Sequence, residues 1–111
     1  MILTIDTTNN LKTTIKLDAR VYTKTYQNPR EQDVWSLLHE ALEKESTALT
    51  ELTAIEVNTG PGSFTGIRVG VSIAQALAFV LQIPLNGQTA VENIEVDYGG
   101  KASITLSGKI N

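Results

Sequence analysis

The chain contains no cysteine. That excludes disulfides, thiolate metal sites and cysteine nucleophiles, and it fits a reducing cytoplasm. It has a single histidine, His39. Two imidazoles therefore cannot share a helix face around a metal, and His39 lies off the apolar arc of its helix, as a solvated residue does. No metal site is expected. No lysine lies between Glu45 and Asn86, which removes the Walker A loop, whose Gly-Lys-Ser/Thr needs one there. Basic charge is not in excess either. The net charge is -3, so the chain has no general pull on phosphate backbones, and strong direct nucleic-acid binding is not expected. Long apolar runs are also missing. The stretch 73–83 is interrupted by Gln75 and Gln82 and is too short to cross a bilayer. The opening residues lack the basic and apolar regions of a signal peptide. A cytoplasmic protein away from membranes is the expectation.

What is present is ordinary for a globular domain: 41% hydrophobic and 19% charged residues over 111 positions. A chain of this length makes one domain and buries roughly 65% of its unfolded surface. Alternating apolar and polar residues predict strands over 2–6, 11–17 and 21–26, an antiparallel meander. Asn28-Pro29 breaks the pattern. A helix is predicted over 31–45, with Val34, Trp35, Leu37, Leu38, Ala41 and Leu42 on an apolar arc of roughly 160°. A strand follows over 52–58, then a helix over 64–81 and a short strand over 83–86. One more helical turn is predicted at 89–93. The tail reads as a β-hairpin, 94–98 and 102–106, around Gly99-Gly100-Lys101. The order β-β-β-α-β-α-β predicts an α/β fold: a mixed five-stranded sheet with two main helices, plus the hairpin. This is the ribonuclease-H-like pattern, half of an actin-like ATPase.

The segment Thr59-Gly-Pro-Gly-Ser-Phe-Thr-Gly66 stands at a strand-to-helix junction. Glycines there permit positive φ or close backbone approach, and Ser63 can cap the helix. Free N–H groups at a helix start also suit an anion. The Rossmann spacing is not met, because the third glycine comes one residue late. A tight turn that seats the helix is preferred. The competing reading takes Asp6, Thr7, Gly60, Gly62 and Ser63 as a phosphate site served by ATP and magnesium. Asp6-Thr7-Thr8 also has the composition of a turn. No set of nucleophile, base and orienting group assembles, so the chain is not expected to be an enzyme.

The second helix is apolar or small almost all round, with Arg68, Ser72, Gln75 and Gln82 on one narrow arc. Gly66, Gly70, Ala74 and Ala78 recur every four residues, a stripe that admits another helix closely. Two helices with this much apolar surface point to a protein interface. Its expected residues are Trp35, Leu38, Leu42, Gly66, Ile67, Gly70, Val71, Ala74 and Ala78. Packing within the chain is the alternative.

The opening Met-Ile-Leu-Thr-Ile-Asp-Thr and the stretch Gly60-Pro-Gly-Ser-Phe-Thr-Gly-Ile-Arg-Val-Gly70 resemble the TsaB/YeaZ family. Residues 74–78 and Ile83-Pro84-Leu85 are similar to its continuation. The resemblance covers about residues 1–93, and 93–111 diverge. It implies the N-terminal lobe of an actin-like, glycoprotease-like fold with a degenerate nucleotide site. It also implies pairing, through the two helices, with a catalytic TsaD-type subunit. With a TsaE-type ATPase, that pair transfers threonylcarbamoyl from its adenylate to a tRNA adenosine. The function expected is thus a non-catalytic scaffold subunit that forms a homodimer when alone and needs no cofactor. The second lobe of the family is not among the 111 residues, so a two-lobed nucleotide cleft is not expected within one chain. The alternatives are a free-standing nucleotide- or phosphate-binding enzyme and a homodimer with no tRNA role.

Overall fold

The computed structural model describes residues 1–89 throughout, together with the backbone of 93–97 and 103–107. The described residues form six strands and two α-helices: β1 (Ile2–Asp6), β2 (Lys12–Leu17), β3 (Arg20–Thr25), α1 (Val34–Lys44), β4 (Ala54–Val57), α2 (Phe64–Leu81), β5 (Asn93–Asp97) and β6 (Ser103–Ser107). The main sheet has four strands in the order β3-β2-β1-β4. β1 lies antiparallel to β2 and parallel to β4.

The period of two decides which residues face the helices. Leu17, Leu3 and Ile55 form one row across the sheet, and Tyr22, Ile15, Ile5 and Val57 form the next. All but Tyr22 are buried in these rows. Both helices cover this face, and Val34, Leu37, Leu38, Ala41, Ile67, Val71, Ala74 and Ala78 complete the core. The opposite face carries Thr4, Lys16 and Val21 in one row and Asp6, Thr14 and Thr23 in another. β3 is an edge strand and buries no residue fully. By length and composition α2 could cross a membrane, with a mean hydropathy of 1.7. Its buried residues instead pack into the core beneath the sheet.

The first helix starts later than the sequence pattern predicts, at Val34 rather than 31. Two capping signals stand in series here. Asn28 accepts from the N–H of Arg30, and Glu31 reaches back to the N–H of Asn28, closing a separate 3-10 turn. Asp33 then caps α1, accepting from the N–H and hydroxyl of Ser36. Each cap satisfies N–H groups that the start of a helical turn would otherwise leave without partners.

The predicted fifth strand over 83–86 is reduced to a single parallel bridge between Ile55 and Leu85. Pro84 has no N–H to give, and the chain then reverses. Asn86 (φ 49) and Gly87 (φ 80) form a two-residue turn closed by Leu85 and Gln88, which exchange hydrogen bonds of 2.9 and 3.0 Å. Two positive φ angles in succession are the type I′ arrangement, for which Asn-Gly is the favoured pair. The Asn86 side chain takes over where the strand stops. Its Oδ1 accepts from the Val57 N–H at 2.8 Å and its Nδ2 donates to the Val57 carbonyl at 3.1 Å.

Strands β5 and β6 pair with each other in a separate two-stranded sheet, from Asn93 opposite Ser107 to Asp97 opposite Ser103. The glycine turn expected at 99–101 lies outside the described residues. So does most of the helical turn expected at 89–93, whose last residue, Asn93, opens β5.

Candidate functional site

The end of β1, the turn that follows it and the glycine loop before α2 meet at the C-terminal ends of the parallel strands β1 and β4. The loop turns where Gly60 adopts φ 121, a conformation that side-chain-bearing residues rarely take. Gly62 then passes so close to Thr8 that a Cβ placed on it would lie 2.6 Å from both the Cβ and the carbonyl oxygen of Thr8. The Ser63 N–H donates to that same carbonyl at 2.7 Å. The Ser63 hydroxyl oxygen accepts from the Gly66 N–H at 3.2 Å and caps α2. Glycines 60 and 62 are therefore accounted for by the loop's own turn and by close contact with Thr8 in the turn after β1.

Thr7 does not join the proposed phosphate group. It is wholly buried, and its hydroxyl donates to the Gly66 carbonyl at 2.6 Å. β1 thus enters its turn by docking onto the first turn of α2. The same turn is held from a third side by Gln32, whose Nε2 donates to the carbonyls of Asn9 and Lys12 and to the Thr13 hydroxyl.

Asp6 faces the other way, to the open side of the sheet. Its Oδ1 accepts from the N–H and hydroxyl of Thr8 at 2.9 and 2.7 Å, and its Oδ2 from the Asn58 amide at 3.2 Å. Partial burial by itself raises the carboxyl pKa. The Thr8 and Asn58 hydrogen bonds and the charge of Lys12 together outweigh it, so the pKa lies below its ordinary value. Asp6 is an anion engaged by neutral donors of its own chain. Among the described residues, no group of three or more His, Cys, Asp or Glu side chains converges as metal ligands do.

The geometry around residues 59–66 can be set beside known proteins. A family model described as TsaD: tRNA N6-adenosine threonylcarbamoyltransferase matches residues 27–95. The chain belongs to this family. Within it, the chain is similar to members named TsaB. It is 41% identical over 61 residues to the tRNA threonylcarbamoyladenosine biosynthesis protein TsaB of Escherichia coli (strain K12), covering 53% of this chain and 26% of that one. It is 39% identical over 57 residues to TsaB of Bacillus subtilis (strain 168), covering 51% and 25%. Among solved structures, YeaZ from Pseudomonas aeruginosa superposes with a TM-score of 0.62 at 29% identity, over 76% of this chain and 42% of that one. The chain thus spans about a quarter of the length of the TsaB relatives it matches.

Most of the residues expected from the sequence to form an interface lie inside the chain. Gly66, Ile67, Gly70, Val71, Ala74 and Ala78 are all buried within the chain. The stripe is small because Thr7 lies against it. A Cβ on Gly66 would come closer than 3.0 Å to the Thr7 carbonyl oxygen, and one on Gly70 equally close to the Thr7 hydroxyl. The close approach read from the stripe is real, and within the chain its partner is Thr7, in the turn after β1. Leu38 and Leu42 are buried too, although they line a shallow groove beside Trp35, Ala48 and Leu49. Trp35 is 49% exposed.

The apolar residues of α2 that reach solvent were not singled out in the sequence. Val69 and Ile73 are half-buried, and Ala76 and Val80 are exposed. They recur at spacings of four, three and four, which puts them on one face. Val80 is 75% exposed and the neighbouring Phe79 57%. The signal was available in the heptad-like spacing, but the glycine and alanine stripe on the other side was the more conspicuous pattern.

Proposed function

We propose that the chain serves tRNA threonylcarbamoyladenosine biosynthesis as a non-catalytic subunit that binds a TsaD-type catalytic protein. The observation that carries this reading is an apolar stripe along α2 that runs from Val69 and Ile73, half-buried at the rim of the core, to the exposed Ala76 and Val80. Exposed apolar surface of this kind is costly in isolation and suits a partner helix. The kinship to TsaB proteins supplies the process, and the engaged state of Asp6, Thr7 and Ser63 argues for a supporting role. Residues 1–111 act in this reading as one TsaB-like N-terminal lobe in the cytoplasm. Trp35 extends the contact onto α1, a TsaE-type ATPase completes the system, and two copies pair through the same stripe when the catalytic protein is absent.

The test is titration of the chain with the TsaD-type protein of the same source. The substitutions Ala76→Glu and Val80→Glu sit on exposed positions, where stability changes stay within about 0.5 kcal/mol. They are expected to leave unfolding unchanged and to weaken binding at least tenfold, the scale of a central interface residue. Binding of unaltered strength in both variants would remove the stripe from the interface.

A further inference from the structure

Asn86-Gly87 is the one Asn-Gly pair in the sequence. This pair is chemically special. A glycine following asparagine leaves its backbone nitrogen unhindered for attack on the side-chain amide. Here Gly87 is exposed, with open space wherever a Cβ would stand. Opposing the attack, both heteroatoms of the Asn86 amide are occupied by the Val57 backbone, at 2.8 and 3.1 Å.

We infer that Asn86 is a self-modification site, a succinimide-forming asparagine held in check by its hydrogen bonds to β4. In the reaction the Gly87 nitrogen bonds to Asn86 Cγ. The bond from Cγ to Nδ2 breaks, and ammonia leaves carrying the former Gly87 amide proton. Water then opens the cyclic imide at either carbonyl to give aspartate or isoaspartate. The reaction cannot begin until the amide leaves Val57, so the fold sets its rate.

The product cannot restore the clamp. An aspartate keeps an acceptor for the Val57 N–H but has no proton for the Val57 carbonyl at neutral pH. Its charge also enters a shallow cleft lined by Thr4, Glu56, Val57, Asn58 and Asn86, where Glu56 is the charged neighbour. An isoaspartate adds a backbone methylene to a two-residue turn and breaks its closure. Either product loosens residues 83–88 from β4, and the edge of the sheet beside Val57 loses its cover.

The test is to hold the full chain in mildly alkaline buffer, folded and in urea, and to follow Asn86 by peptide mass mapping and isoaspartate detection. Conversion in the folded chain is expected to be roughly 30-fold slower than in urea, the factor imposed by two hydrogen bonds of ordinary strength. Independently, Asn86→Asp is expected to lower the folding constant roughly fivefold at neutral pH, one hydrogen bond's worth. That deficit should shrink as acid protonates the new carboxyl and returns a donor. Equal rates folded and unfolded would overturn the proposal. So would an intact Asn86 in the folded chain after the expected slow period, or an Asn86→Asp variant as stable as the parent at neutral pH.

Discussion

Replacing Gly66 by alanine sets two effects of opposite sign against each other. In an exposed helix interior the change stabilises by about 1 kcal/mol, because alanine has the higher helix propensity. Here the new Cβ would come closer than 3.0 Å to the Thr7 carbonyl oxygen and 3.3 Å from the Asn10 Cα. Those are backbone atoms, and they cannot swing aside. The Ser63 N–H holds the adjacent Thr8 carbonyl at 2.7 Å, and Gln32 holds Asn9 and Lys12. The turn must therefore withdraw as a unit, an overpacking cost of about 1–3 kcal/mol. Withdrawal also breaks the buried bond from the Thr7 hydroxyl to the Gly66 carbonyl, 2.6 Å long, for about 1–3 kcal/mol more. The net expectation is a loss of about 3 kcal/mol. With a urea slope of about 2 kcal/mol per molar, the unfolding midpoint falls by about 1.5 M. A midpoint that rises instead would show that propensity governs and that the contact between β1 and α2 is not tight.

Thr7→Val keeps the shape and puts a methyl group where the hydroxyl stands. It should cost about 1 kcal/mol in the same urea experiment, and a neutral result would deny the bond its role. Acid should destabilise the protein through two carboxylates. Asp33 is held below its ordinary pKa chiefly by the Ser36 hydroxyl and N–H, and Asp6 by its Thr8 and Asn58 donors against the opposing effect of burial. A depressed folded pKa contributes stability that is whole above the ordinary value of 3.8 and is lost as pH falls through the lower folded value. Asp6→Asn and Asp33→Asn should each flatten the acid limb of stability against pH, and an unchanged limb would contradict the assignment.

The central strands were legible because alternation survives wherever one face is buried. Leu3, Ile5, Ile15 and Leu17 follow it without exception. Local chemistry misled at two points. Asn28 and Asp33 are both good caps, and the sequence does not say which of them opens the long helix. A strand was expected over 83–86, although Asn86-Gly87 is a strong short turn signal. The packing of the small-residue stripe was less legible, for a nonlocal reason. A small-residue stripe announces that something comes close, but Thr7 arrives from 59 positions away. Only the fold shows that the stripe is filled from within and that the Val69 to Val80 face is left outward.

The most direct test of the account is light scattering after size-exclusion chromatography, on the chain mixed with the TsaD-type protein of its own source. The account predicts an equimolar complex that Val80→Glu disrupts while the variant remains folded. A chain that elutes unchanged beside the catalytic protein, or a complex indifferent to Val80→Glu and Ala76→Glu, would contradict it.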